Sequence, residues 1–240
     1  MTGSRIIIGI DEAGRGPLIG DMVVSCVVLR NMDVAMLSEI GVRDSKTLSP
    51  KKRERIREIA LRNLPLSFIA VYVTARRVDS ENLNTTTSET IKRLLHKVSK
   101  VLWRGEEVEI YVDEVKGVEA SLRAYSRRLF GNKLARFVME ANADSKYPVV
   151  SMASIIAKTL RDESIKPGKL VFGDYGSGYS TDPKTIRWVR ENASLNPPLI
   201  VRLKWKNLKH LAPSWYRSPL NLLYFIRGGG EDGNKPASRG

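Results

Sequence analysis

Residues 6–17 read Ile6-Ile7-Ile8-Gly9-Ile10-Asp11-Glu12-Ala13-Gly14-Arg15-Gly16-Pro17. Four β-branched apolar residues around one glycine make a short buried strand. That strand runs straight into two carboxylates and a Gly-Arg-Gly turn stopped by proline. Buried charge is costly unless it is paired or binds metal. A strand ending in Asp11-Glu12 therefore points to a site at the carboxyl edge of an α/β sheet. On these residues alone, a strand that finishes in polar turn residues explains the stretch equally well. The rest of the chain decides between the two.

Working outward, residues 22–29 are an almost wholly apolar second strand, and residues 66–74 form a third. Between them Ser49 caps and Pro50 starts a helix over 51–62. Apolar residues at three- and four-residue spacing predict a helix over 86–102. A fourth strand, 108–112, ends like the first in carboxylates, Asp113-Glu114. A helix over 117–130 follows, with Val118, Leu122, Tyr125 and Leu129 inward, then a fifth strand, 134–139, with Asp144 shortly after it. A helix rich in small residues covers about 148–163. Pro167-Gly168 makes a loop of part of 161–172. Adjacent strands form antiparallel meanders and helix-separated strands pair in parallel, so the sheet is mixed and five-stranded, in an α/β fold.

The 240 residues have ordinary hydrophobic (42%) and charged (28%) fractions. Forty basic against twenty-six acidic side chains, a net charge of +14, imply a polyanionic partner, nucleic acid before membrane. The single cysteine, Cys26, lies in an apolar run and is expected as a buried hydrophobe in a reducing compartment. With no signal peptide or apolar span, the expectation is a soluble, cytoplasmic monomer. From residue 195 to 230 there is no acidic residue; Arg202, Lys204, Lys206, Lys209, Arg217 and Arg227 suit phosphates. Among them Trp205, Trp215, Tyr216, Tyr224 and Phe225 are expected mostly as core. The domain reading is a catalytic domain over 1–193, a basic helical part over 194–227 and a disordered tail over 228–240.

Three strands lead into acid. If the first, fourth and fifth are parallel neighbours, Asp11, Glu12, Asp113 and Asp144 converge at one sheet edge. Such a cluster makes physical sense around Mg²⁺ or Mn²⁺, which prefer hard oxygen ligands. An acidic centre in a basic body is what a metal-dependent nuclease needs. Asp162 is expected on a helix surface and Asp174 in a turn; His96 and His210 have no ligand partner in the sequence.

The runs GIDEAGRGP at 9–17, RDSK at 43–46, YVDEV at 111–115, ADSKYPVVSMASIIAK at 143–158, GSGYSTDP at 176–183 and RLKW at 202–205 together resemble ribonuclease HII in its archaeal form. The resemblance spans about residues 5–210. It implies a ribonuclease H-like fold with a helical C-terminal part. It implies hydrolysis of RNA in RNA/DNA hybrids and cleavage 5′ of ribonucleotides embedded in duplex DNA, leaving 3′-hydroxyl and 5′-phosphate ends. By motif, Asp11, Glu12, Asp113 and Asp144 match the catalytic metal-site acids, served by Mg²⁺ or Mn²⁺. Gly14, Arg15 and Gly16 match the reader of the ribose 2′-hydroxyl, the group that separates RNA from DNA. Tyr179 matches a tyrosine stacking on the neighbouring deoxyribose, and Lys46 and Lys158 resemble phosphate contacts; for Lys158 a salt bridge on a helix face is the competing account.

The sequence departs from the family at Gly20-Asp21, where Gly-Pro is common, at Glu114, where serine is frequent, and over 161–172. Leu222, Phe225 and Ile226 faintly resemble a sliding-clamp-binding peptide, although Pro219 holds the expected glutamine position. Ribonuclease HIII carries an extra N-terminal domain for which this chain has no room. A DNA-cleaving relative would leave Gly14-Arg15-Gly16 without purpose. A catalytically silent hybrid-binding module would lack at least one of the four acids, and a basic membrane-surface protein would need a stronger apolar helix face than 51–62 offers.

Overall fold

The computed structural model describes residues 5–42, 45–102 and 106–217. Arg43 and Asp44 of the RDSK run, the clamp-like residues Leu222, Phe225 and Ile226, Tyr224, Arg227 and the 228–240 tail lie outside the described residues.

The strands are β1 (Arg5–Ala13), β2 (Met22–Arg30), β3 (Ser67–Val73), β4 (Glu107–Asp113) and β5 (Leu134–Glu140). They form one sheet in the order β3-β2-β1-β4-β5. β1–β2 and β2–β3 are antiparallel, while β1–β4 and β4–β5 are parallel, so the mixed sheet expected from sequence is the one observed.

The helices are α1 (Val34–Glu39), α2 (Pro50–Asn63), α3 (Ala75–Ser80), α4 (Leu83–Val101), α5 (Glu119–Phe130), α6 (Ala143–Lys146), α7 (Pro148–Phe172), α8 (Pro183–Asn192) and α9 (Leu208–Leu211). Strand alternation separates two cores. Ile6, Ile8, Ile10, Ile110 and Val112 pack with Ile91, Leu94, Leu95 and Val98 of α4 and Leu122 of α5. On the opposite face, Ile7 and Tyr111 pack with Val149, Met152, Ala153 and Ile156 of α7 and Ile56 of α2. Glycine at position 9 is required by α7, because a Cβ there would collide with the Val149 carbonyl. Cys26 is buried, as expected. Ser49 caps α2 as its sequence predicts, accepting from Lys52 N at 3.4 Å.

The expected loop within 161–172 is overturned: α7 runs on through Pro167-Gly168 to Phe172. Tertiary packing overrides the proline. Ile165 O accepts from the Tyr175 hydroxyl at 2.8 Å, and Gly168 lets that ring approach, since a Cβ would lie 2.5 Å from the hydroxyl. This contact belongs to a third core, in which Leu18, Ile19, Tyr175, Trp188, Val201, Leu208 and Trp215 join the β1–β2 connection to the C-terminal part. Of the described residues after 193, only α9 is α-helical; the others are turns and extended chain. Among the described residues no helix is long and apolar enough to cross a membrane.

Candidate active site

Parallel pairing sets Ile10 beside Val112. Asp11 and Asp113, each one residue further, therefore leave the sheet side by side at its carboxyl edge, on the face covered by α7. Asp113 also faces Glu140 of β5. The chain then turns through Asn142, at φ 57, a left-handed conformation that asparagine tolerates. This turn delivers Ala143 N to Asp113 Oδ1 at 2.9 Å and buries Asp144 on α6. Asp11 Oδ1 accepts from Glu12 N at 2.6 Å.

Basic and hydroxyl groups border the acids. Lys46 Nζ lies 3.4 Å from Asp144 Oδ1 and 3.3 Å from Asn142 Oδ1. Lys158 of α7 donates to Ser45 Oγ, which shares a 2.8 Å hydrogen bond with Ser154 Oγ. Lys158 Nζ therefore lies near the acids, on the Ser45–Ser154 hydroxyl pair. Its ammonium is pushed down by burial and partly restored by the Asp11 and Asp144 charges.

The electrostatics are strained in one direction. Burial, then the Glu12 and Asp113 charges, lift the Asp11 carboxyl well above its ordinary range. Burial lifts Glu12 to about 7; Arg15 opposes the rise and Asp113 adds to it. Asp113 is raised by burial and Asp144, against Lys46. Glu12 Oε1 lies 3.4 Å from Arg15 Nη1, while its Oε2 is buried with no hydrogen-bond partner among the described residues. Still, no three Asp, Glu, His or Cys side chains among the described residues are already drawn up as one metal's ligand set. Glu114 is exposed, one residue beyond the end of β4.

Beside the acids lies the loop 14–20. Gly14 sits at φ +85, and a Cβ there would come within 2.7 Å of Asp21 O. The Arg15 guanidinium turns toward α4, donating to Thr87 Oγ1 at 2.9 Å and to Asn84 Oδ1. Asn84 Nδ2 in turn donates to Lys116 O at 2.9 Å, tying this loop to the one after Asp113. Gly178 O accepts from Leu18 N at 2.8 Å and Ile19 N at 3.2 Å, which brings Tyr179 alongside. A Cβ on Gly16 would meet the Tyr179 ring at 3.9 Å. Tyr179 is 38% exposed, with the Arg161 guanidinium carbon 5.1 Å from its ring centre. Arg161 also donates to Ser177 O at 2.6 Å.

The residues picked from sequence are thus brought to one sheet edge, with one exception in interpretation. Arg202 does not join a phosphate-gripping surface: it is fully buried, where its guanidinium serves backbone carbonyls. The apolar flank Leu199-Ile200-Val201 was the signal for that burial. Arg161, Asn84 and Thr87 escaped sequence reading, because an arginine or an asparagine on a helix carries no local mark of its partner. Asp162, on α7, pairs with Arg53 at 3.4 Å, and Asp174, between α7 and α8, pairs with Lys184 at 2.9 Å.

Comparison with known proteins agrees with this geometry. The family described as Ribonuclease HII matches residues 8–208. A Ribonuclease HII of Hyperthermus butylicus is 41% identical over 215 residues, covering 88% of this chain and 87% of the relative. The crystal structure of ribonuclease H2 from Pyrococcus horikoshii is similar with a TM-score of 0.74 at 32% identity, covering 88% of this chain and 98% of that one. The ribonuclease HII in the PCNA:RNase HII complex from Archaeoglobus fulgidus is similar at 0.72 and 34% identity, covering 85% and 96%.

Proposed function

The chain belongs to the ribonuclease HII family, whose activity is cleavage of the RNA strand in RNA/DNA hybrids, and we propose that it also cuts duplex DNA on the 5′ side of single embedded ribonucleotides. The metal-site acids in this reading are Asp11, Glu12, Asp113 and Asp144. The donor set supports it: carboxylate oxygens only, three of the acids with protonation shifted upward by burial and mutual repulsion, and a buried Glu12 oxygen without a partner among the described residues. A divalent cation is the group such a set fits. Bound there, Mg²⁺ or Mn²⁺ would supply an activated water and stabilise the leaving oxygen in phosphodiester hydrolysis.

This chain's own residues do the rest. Lys46 and Lys158 hold the scissile phosphate against the acids, their charge offsetting two anionic partners brought together. The main chain of Gly14-Arg15-Gly16 meets the ribose 2′-hydroxyl, since the Arg15 side chain is committed to Glu12, Asn84 and Thr87. Tyr179 stacks on the adjoining deoxyribose. A sliding clamp is a proposed partner, in line with the Archaeoglobus fulgidus relative in its PCNA complex.

The observation that carries this reading is the adjacency of Asp11 and Asp113 beside a loop whose glycine at 14 has no room for a side chain. The test is a labelled DNA duplex with one ribonucleotide, incubated with Mg²⁺, with Mn²⁺ and with chelator. We expect metal-dependent cleavage 5′ of the ribonucleotide and none on all-DNA duplex. Tight binding without cleavage in either metal would make the chain a silent hybrid-binding module instead.

A further inference from the structure

The RLKW run, 202–205, has no part in the chemistry above, yet it touches all three carbonyls of Gly14-Arg15-Gly16. Arg202 Nη2 donates to Gly14 O at 2.7 Å, and Nη1 to Arg15 O at 2.9 Å. Trp205 Nε1 donates to Gly16 O at 3.0 Å. Arg202 also closes the far end of the loop, with Nε 3.0 Å and Nη2 2.7 Å from Gly20 O. Three consecutive carbonyls of Gly14-Arg15-Gly16 are thus held by two side chains of one short segment.

That segment is itself anchored. Arg202 N donates to Leu18 O at 2.8 Å, and Asp79 of α3 accepts from the backbone N–H groups of Leu203 and Lys204. The guanidinium carbon of Arg202 lies 5.1 Å from the Trp205 ring centre, so the two donors brace each other. Burial lowers the Arg202 guanidinium to about 10, which leaves it charged at neutral pH and its donors available. Trp205, partly buried, packs against both the sheet core and the C-terminal core.

We propose that Arg202 and Trp205 are positioning residues for ribose recognition: by engaging the carbonyls of residues 14–16 they fix the orientation in which this backbone meets the 2′-hydroxyl. The proposal rests on the reading of Gly14-Arg15-Gly16 as the ribose reader. A glycine-rich loop is free to adopt many conformations, and recognition of a single hydroxyl needs one of them held in advance. Because the Arg15 side chain is already engaged with α4, the loop's main chain carries the discrimination, and its orientation is what these two side chains control.

Trp205→Phe is the decisive variant, because it removes the N–H to Gly16 and keeps an aromatic ring at the position, giving up part of the indole's packing against the two cores. Its kcat and KM on the single-ribonucleotide duplex would be measured with its thermal midpoint, with Arg202→Lys as the conservative companion. We expect Trp205→Phe to lower kcat roughly five- to tenfold, the loss of one oriented hydrogen bond, with KM as in the parent protein and the midpoint lowered by no more than about a few degrees for the lost packing. Arg202→Lys, which keeps the charge but gives up the forked donors to the Gly14, Arg15 and Gly20 carbonyls, should fall below Trp205→Phe. An unchanged kcat for Trp205→Phe overturns the proposal, as does a fall in kcat that comes with a loss of thermal midpoint beyond a few degrees, which marks a purely structural role. If the parent protein itself does not cleave this substrate, the functional reading fails first, and the two failures are told apart.

Discussion

Two regions meet at the carboxyl edge of the sheet, and they are held in opposite ways. The acid edge, Asp11, Glu12, Asp113 and Asp144, is built from strand ends and one helical turn on an immobile core, and its charges oppose one another. The recognition edge, residues 14–20 with 177–179, is built from loops, and it is over-satisfied: buried Arg202 and Arg161 donate to its carbonyls. The acid edge stores unfavourable electrostatics in a rigid frame. The recognition edge takes a flexible backbone and immobilises it with cations that donate hydrogen bonds. In the reading proposed above, the difference teaches that the metal-site acids and the ribose-reading loop have separate structural supports.

The largest effect is expected at the acid edge. Asp113→Asn removes a carboxylate from the proposed ligand set and leaves the shape, so turnover should fall by roughly three orders of magnitude or more, about 4 kcal/mol in the barrier. Folding should not suffer, because the lost charge was raised in protonation by burial and by Asp144. Steady-state rates with a parallel thermal melt check both halves. Near-parental turnover would remove Asp113 from the metal site, and a collapsed melt would mean the acid edge is held by its charges after all.

At the recognition edge the effect should be smaller and confined to one substrate. Tyr179→Ala removes a half-open ring that the Arg161 guanidinium faces at 5.1 Å from the ring centre. A stacked contact is worth about 1–3 kcal/mol, so cleavage at an isolated ribonucleotide should drop about tenfold or more. The thermal midpoint should barely move. Equal rates for variant and parent on that duplex would take Tyr179 out of the substrate's path.

The acid edge was legible in the sequence because each part is local: an apolar run gives the strand, and its last residues give the carboxylates. That strands 1, 4 and 5 are parallel neighbours was a condition of that reading, and the sheet order β3-β2-β1-β4-β5 meets it. The recognition edge was legible only by its glycines and by resemblance. What holds it comes from 188 residues away for Gly14 and Arg202, and no periodicity marks such a pair. A shorter-range contact accompanies the unbroken helix at Pro167, where α7 runs on and Tyr175, ten residues from Ile165, donates to its carbonyl. The burial of Arg202 was foreshadowed by its apolar flank, but the count of basic residues pulled the reading toward phosphate.

The smallest effect sharpens the contrast by reading the electrostatic strain directly as stability. In the folded protein Glu12 titrates at about 7, above the ordinary 4.5 of a glutamate. Between those values the folded chain holds a proton that the unfolded chain has released. Stability should therefore rise as pH falls from about 7.5 to about 5.5, and Asp11 and Asp113 act in the same sense. The acids shifted downward, Asp174, Asp182 and Glu140, titrate below this window and leave it unobscured. Glu12→Gln keeps an oxygen for Arg15 and removes the charge. In chelator, its thermal midpoint at pH 7.5 should exceed the parent's by a few degrees, at roughly 2–4 °C per kcal/mol for a chain of this size. The gap should narrow at pH 5.5, where the parent's Glu12 is already protonated. Saturating Mg²⁺ should favour the ionised parent and reverse the order at pH 7.5, because the amide offers the cation a weaker ligand. A variant that melts lower than its parent in chelator at pH 7.5 would show that Glu12 stabilises the fold through Arg15, and the two edges would then share one support.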